Sequence, residues 1–423
     1  MEVQLQRSFT IPSPPKNTDP TELPLTVFDR FASNIYIAVL FAFSPPTPTN
    51  SHLIGALSET LHLHFPSFTA RLTPSHLVLA ADPGGALVVE AAVASSLEYH
   101  LPLLPSPEFA LLHPPTEGAS HLLQVQLNRF RCGGLVVGIS AHHRIADGQT
   151  MSAFYVAWGR ISRGLPVDPV PTYDLSWLTP RSPAKLEFEH WGTEFIADDD
   201  LSVHPNNFID PGETSNVLLQ YSEDYITTKL KLELKGKFST FEVLLGHLWR
   251  KITQARGLAA GEETMIRVSV NGRQRLRPPV PKEFIGNLVM NAYPTAKAGD
   301  LIAGGLASAA QIIRLAVRRI DDGYIRSFID FGEVHKEEDL VPVYDRYGNL
   351  LSPNLEVDSW LGFEFQEVDF GGGGALRAFL PTWVPMDGLV ILLPRFGEGG
   401  GVDVVVALTK EHAENLKKIS HSL

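Results

Sequence analysis

Stretches rich in Val, Ile, Leu and Phe recur in both halves of the chain, at Ile35–Phe43, Leu77–Ala80, Leu122–Asn128, Gly134–Ser140, Met265–Val270, Leu389–Leu393 and Val402–Leu408. Short apolar runs bounded by turn residues predict strands. Between them lie Ser51–His64, Gln149–Ile161, Thr240–Ala255, Leu301–Ile320 and Lys410–Ile419, whose apolar positions return at helical spacing and predict helices. The alternation points to an α/β or α+β fold. From Gly164 to about Asn216 the regularity fades into Pro-rich and Asp-rich text, which predicts a long crossover or linker between two similar halves. No repeat of about 20–50 residues is present, which argues against a solenoid or propeller. Low-complexity text is confined to the glycine runs Gly371–Gly374 and Gly399–Gly401.

Composition narrows the choice of partner. With 35 basic and 47 acidic residues the formal net charge is -12, a balance that repels phosphate backbones and anionic membrane surfaces. Neither nucleic acid nor a membrane is expected as a partner. The 423 residues suffice for two or three domains at about 100–200 residues each. Cys132 is the only cysteine, so an intramolecular disulfide and a thiolate metal cage are both excluded. The opening MEVQLQRSFTIPSPP has no continuous apolar segment of the signal-peptide kind. The longest apolar-leaning stretch, Ile35–Phe43, falls well short of the ~20 residues of a membrane-spanning helix. A soluble, cytoplasmic protein is expected.

The familiar nucleotide and hydrolase signatures are missing. There is no GxxxxGK[ST], neither glycine run completes a GxGxxG after a strand, and GISAH at Gly138–His142 lacks the last glycine of a GxSxG elbow. No HExxH occurs and no metal is expected. Two HxxxD matches remain. His335–Asp339 lies in the charged text EVHKEED, which reads as a solvated helix end or loop. His143–Asp147 follows the buried-type run GLVVGIS and precedes a helical segment. A strand that ends in His and turns through Asp-Gly into a helix places an imidazole at a sheet edge, where sites commonly open. On the residues alone, a His satisfied within its turn explains this pattern as well as a catalytic one.

HHRIADG (His142–Gly148) together with DFGGG (Asp369–Gly373) resembles the paired HHxxxDG and DFGWG signatures of the BAHD family of plant acyl-CoA-dependent acyltransferases. FSTFEVLLGHLWR (Phe238–Arg250), VNGRQRLRPPVPKEFIGN (Val270–Asn287), SPNLEVDSW (Ser352–Trp360) and WVPMDGLVILLP (Trp383–Pro394) are similar to family text in family order, so the likeness covers essentially the whole chain. The resemblance implies an α/β fold of two chloramphenicol-acetyltransferase-like domains, with mixed sheets flanked by helices, a long crossover, and an active-site channel between the domains. The domains are expected at residues 1–185 and 216–423, the first carrying HHxxxDG and the second DFGGG, with a crossover at 186–215.

The family's chemistry carries over residue by residue. His143 is the implied general base. An imidazole, ordinarily titrating near ~6.5, can take the acceptor's proton during attack on the thioester and return it to the departing sulfur, with no covalent acyl-enzyme. Asp147 is implied as a structural partner that fixes the turn and pairs with Arg273. Trp360 and Ser359 are implied donors to the developing oxyanion, although Trp360 also reads as a core aromatic. Ser239, Thr240 and Arg273 are implied on the CoA side, where each equally suits a cap or a loop brace. Asp369, Phe370, Gly371 and Gly373 form the structural motif, away from the base. Acyl-CoA is a co-substrate and no cofactor is implied.

The departures concern the acceptor. Gly372 stands where the family has tryptophan, and four consecutive glycines are expected to loosen that segment. Relatives that acylate shikimate or quinate place an arginine just after the motif. Here that place is Gly374, and Arg377 is out of register. Asp358 replaces a small hydroxyl residue, and a carboxylate there suits a cationic acceptor, with Asp29 as a second candidate. These features resemble the branch of grass enzymes that acylate amines such as agmatine, putrescine or tryptamine. The expectation is a monomeric N-hydroxycinnamoyltransferase. The alternatives are an O-acyltransferase with an alcohol acceptor and a catalytically silent binding homologue.

Overall fold

The computed structural model describes residues 1–14, 21–79, 84–198, 208–234, 236–396 and 399–422. The chain forms two compact units. The first comprises Met1–Thr179 with Val280–Leu288 and Phe363–Trp383, and the second Pro180–Pro279 with Val289–Gly362 and Val384–Leu423. The expected division at 1–185, 186–215 and 216–423 is corrected accordingly: two stretches of the second half, one of them carrying DFGGG, pack within the first unit. Residues 199–207 of the expected crossover lie outside the described residues.

The first unit is built on a six-stranded mixed sheet in the order Val3–Ile11, Ala86–Val93, Leu123–Phe130, Leu135–His142, Tyr36–Phe43 and Leu376–Pro381. Only the pairing of Ala86–Val93 with Leu123–Phe130 is parallel. The strand Leu135–His142 is buried at every position and sits well inside the sheet, which is why its sequence is a near-continuous apolar run and does not alternate. Helices Asn50–Leu63 and Gly148–Ser162 pack together beside the sheet. Between them Phe154 lies 5.3 Å from Phe65 and 5.0 Å from Phe68, ring to ring. Truncating so large a buried ring costs about 3–5 kcal/mol, so this aromatic cluster fixes the helix whose N-terminus follows His143.

The second unit has its own mixed sheet in the order Thr214–Tyr221, Val402–Thr409, Leu389–Pro394, Leu355–Ser359, Glu263–Asn271 and Val289–Ala292, with Thr295–Lys297 also paired to Glu263–Asn271. Leu355–Ser359 runs parallel to both neighbours. Helices Thr240–Arg256, Gly305–Arg319 and Lys410–Ile419 flank this unit's core. The expected helix Leu301–Ile320 is two helices, Ala298–Ala303 and Gly305–Arg319, because the glycine pair Gly304–Gly305 interrupts it. The described end of the expected linker is packed text. Phe195–Ala197 pairs with Leu340–Pro342, and the buried His190 bonds to Glu194 and Ser327. Among the described residues no helix is long and apolar enough to cross a membrane.

Candidate active site

The strand Leu135–His142 leads into a 3-10 turn, His143–Ile145, and then into helix Gly148–Ser162. Asp147 is the N-cap of that helix. Its Oδ1 accepts the Thr150 N–H at 2.9 Å and its Oδ2 the Leu288 N–H at 3.0 Å. Thr150 in turn donates its hydroxyl to the Gly286 carbonyl at 2.9 Å. The carboxylate therefore satisfies an otherwise orphaned helix donor and ties the turn to Gly286–Leu288.

The two adjacent histidines stand in different environments. His142 is buried, its Nδ1 accepts the Arg144 N–H at 3.2 Å, and its Nε2 lies 3.1 Å from Asn34 Oδ1. An acceptor at one nitrogen and a donor at the other describe a neutral ring. Burial, helped by the charges of Arg144 and His143, pushes its pKa down to about 4. His143 is half-buried and held by its backbone: its N–H donates to the Ile35 carbonyl at 2.9 Å, and its carbonyl accepts from Ala146 N at 3.3 Å and Asn287 Nδ2 at 3.0 Å. Its Nδ1 has no hydrogen-bond partner among the described residues. Of the two rings, that of His143 is not committed to holding the fold.

Asp29, expected as an acceptor anchor, is corrected to a structural role. It is 8% exposed and lies in the capping box of helix Val27–Phe31. Oδ2 accepts the Thr26 N–H at 2.9 Å and the Thr26 hydroxyl at 2.7 Å, while Oδ1 accepts the N–H and side-chain Nδ2–H of Asn287 at 3.1 and 3.0 Å. Burial raises its pKa despite these four donors from Asn287 and Thr26. Both oxygens are occupied, so none is left for a ligand cation. Thr-x-x-Asp before an apolar run is a readable cap signal, whereas Asn287, which bridges Asp29 to His143, has no local signature.

Asp358, Ser359, Trp360, Ser239, Thr240 and Arg273 lie in the second unit. Asp358 and Ser359 end the central strand Leu355–Ser359, and Trp360 continues the ladder through its N–H to the Leu392 carbonyl at 2.8 Å. All three are half-buried. Strand alternation places Asp358 and Trp360 on the face of Glu356, and Ser359 on the opposite face with Val357, so Trp360 and Ser359 do not leave the strand on the same side. Glu356 pairs with Arg267, whose guanidinium lies 3.9 Å over the Tyr344 ring.

Ser239 caps helix Thr240–Arg256 in a reciprocal box with Glu242, and Thr240 Oγ1 accepts from Lys231 Nζ at 2.6 Å. Arg314 holds Glu242 through 2.7 and 2.6 Å bonds. Arg273 is 1% exposed, with its N–H on Asn271 Oδ1 at 3.0 Å. Burial of that depth fits a structural arginine and corrects its placement on CoA.

The DFGGG segment packs on helix Gly148–Ser162 of its own unit. Phe370 lies 4.6 Å from Trp158 and 5.3 Å from Phe43, ring to ring, Ser162 Oγ donates to the Phe370 carbonyl at 2.6 Å, and Arg163 pairs with Asp369 at 3.2 Å. Gly159 lets the two backbones meet, because a Cβ there would sit 2.7 Å from the Asp369 carbonyl oxygen. The backbone of the glycine run is one that side chains rarely adopt. Gly371, Gly372 and Gly373 adopt φ of +83°, +82° and +91°, and a Cβ at Gly374 would fall 1.9 Å from the Ser44 carbonyl oxygen. With this backbone no side chain fits at 374, so an arginine clamp for an acceptor carboxylate is sterically excluded there. His335, in the second HxxxD, ends helix Asp322–Val334 with its Nδ1 2.8 Å from Glu338.

Residues 1–422 match the sequence profile described as the Transferase family. The chain is 38% identical over 420 residues to agmatine hydroxycinnamoyltransferase 1 of Oryza sativa subsp. japonica, covering 95% of this chain and 93% of that protein. From the same organism, putrescine hydroxycinnamoyltransferase 3 is 37% identical, covering 95% and 94%, and tryptamine hydroxycinnamoyltransferase 2 is 37% identical, covering 94% and 93%. The crystal structure of vinorine synthase superposes with a TM-score of 0.75 at 19% identity, covering 98% of this chain and 96% of that one, which shows the shared fold. A full-length profile match, relatives well above 30% identity and a common two-sheet fold together establish that the chain belongs to this Transferase family, the BAHD acyl-CoA-dependent acyltransferases.

Proposed function

We propose that the protein transfers a hydroxycinnamoyl group, such as p-coumaroyl or feruloyl, from CoA to an aliphatic amine such as agmatine or putrescine, with His143 as the general base. The observation that carries this reading is the environment of His143: its backbone is fixed on both sides while its ring is left uncommitted. In the reaction a neutral amine attacks the thioester carbonyl, the imidazole takes the N–H proton, the tetrahedral intermediate collapses, and the imidazolium returns the proton to the departing CoA thiolate. An amide and free CoA result, and neither a metal nor a cofactor is called for. A preorganised donor to the oxyanion is worth roughly 3–4 kcal/mol in such transfers. Trp360 is assigned that task, and Ser359, on the opposite strand face, is secondary.

The acceptor assignment rests on two supports. The similar proteins are named for agmatine, putrescine and tryptamine, and the backbone at Gly374 has no room for a side chain that would clamp an acid. Asp358 is assigned to the distal cation of the amine. We place the enzyme in the cytoplasm as a monomer.

Incubation of the purified protein with p-coumaroyl-CoA and, separately, agmatine, putrescine, tryptamine, shikimate and a neutral aromatic alcohol tests the reading through thiol release and product mass. Release that depends on agmatine or putrescine is expected. Turnover with the alcohol alone would return the O-acyltransferase reading, and no turnover with any acceptor would return the binding homologue.

A further inference from the structure

The carbonyl of His143 is gripped from outside its own turn. Asn287 Nδ2 donates to it at 3.0 Å and, from the same nitrogen, to Asp29 Oδ1 at 3.0 Å, while the Asn287 backbone N–H reaches that Asp29 oxygen at 3.1 Å. Asn287 is 2% exposed. The orientation of its carboxamide follows from chemistry: a carboxylate oxygen and a peptide carbonyl can only accept, so the NH2 group with its two hydrogens must face them. The amide oxygen therefore turns away, and it is buried without a hydrogen-bond partner among the described residues. A buried acceptor left unmade is a net cost. A residue tolerated at such a cost is explained by what its nitrogen holds.

We propose that Asp29 and Asn287 act as one positioning unit for acyl transfer, in which the Asp29 carboxylate orients the Asn287 carboxamide and the carboxamide sets the His143 carbonyl, and so the direction in which the imidazole is presented. The unit rests on the reading of His143 as the base. The His143–Ile145 turn has little else to fix its carbonyl beyond the 3.3 Å bond from Ala146 N, and a misplacement of about 1 Å at a reacting group can cost ~10²-fold in rate. Because Asn287 bonds the backbone and not the ring, it acts on where the base stands and not on how basic it is. The helix Val27–Phe31 takes part through Thr26, which locks the second Asp29 oxygen.

A double-mutant cycle tests this, with Asn287→Ala, Asp29→Ala and the pair assayed on p-coumaroyl-CoA and agmatine beside wild type and His143→Ala. Asn287→Ala is expected to lower kcat roughly 10–100-fold, with both KM values within about two-fold and an unshifted pH–rate profile. Asn287→Ser, with one donor hydrogen in place of two, should fall between. The double variant should be no worse than the poorer single one, as for residues that act together. If the alanine variants do not fold, Asn287→Ser and Asp29→Asn complete the cycle. Wild-type kcat in folded Asn287 variants, a loss confined to KM, or additive losses would overturn the proposal. An active His143→Ala would instead remove the base reading on which it stands.

Discussion

At His142 both ring nitrogens are bonded, whereas His143, one residue on, uses its backbone for the fold and has no partner for Nδ1 among the described residues. The HxxxD spacing and the preceding apolar run made this pair legible from sequence, because strand, turn and cap are local features. At Asp29 the cap with Thr26 is a local, readable feature, but the bonds to Asn287 join residues 258 positions apart. Asp358 is the penultimate residue of the strand Leu355–Ser359, and its proposed task is testable by itself. An amine with pKa about 10 is almost wholly protonated at pH 7, so freeing its lone pair costs roughly 4 kcal/mol. Holding the distal cation eases the loss of the proximal proton. Asp358→Ala should therefore raise KM for agmatine or putrescine at least about tenfold while changing KM for p-coumaroyl-CoA little, and wild-type activity should climb from pH 7 to about 9. Equal effects on a cationic and a neutral acceptor would place Asp358 in a structural role.

The helix Gly148–Ser162 joins two of the family signatures, with Asp147 at its N-terminus and Asp369–Gly373 packed along Gly159–Arg163. Asp147→Ala would remove the cap to Thr150 and strand the Leu288 N–H, an expected loss of about 2–4 kcal/mol in chemical denaturation. A variant as stable as wild type would show the cap to be dispensable. Gly372→Trp restores the family residue on a backbone that favours glycine: φ is +82° and the new Cβ would lie 3.0 Å from Pro48. A lower melting temperature is expected, and a higher one would contradict the account of the glycine run. Strand and helix runs were readable in this region through periodicity. The membership of Leu376–Pro381 in the first unit was not, because its pairing with Tyr36–Phe43 spans over three hundred residues and leaves no local pattern. Ala86–Val93 escaped for another reason: its small residues, ALVVEAAV, blur the apolar run of a strand paired on both edges.

Each unit carries a buried histidine whose pKa is held low, which predicts that stability falls in acid. His142 in the first and His247 in the second are both pushed down to about 4, chiefly by burial, and His247 Nε2 donates to the Ser420 carbonyl at 2.6 Å. Between about pH 6.5 and 4 the unfolded chain binds a proton at each that the folded chain refuses, so stability falls with acid across that window, on the order of 2–3 kcal/mol per group. Asp29, whose pKa burial raises, works in the opposite direction. His247→Gln keeps an N–H for Ser420 and should flatten the fall of melting temperature from pH 6.5 to 4. Unchanged slopes would show that His247 is not among the groups responsible. The most direct test of the central claim is the rate of CoA release from p-coumaroyl-CoA with agmatine, measured for wild type and His143→Ala. An agmatine-dependent rate that drops by about 10²–10⁴-fold in the variant is predicted, and a variant within a few-fold of wild type, or release that ignores the amine, would contradict it.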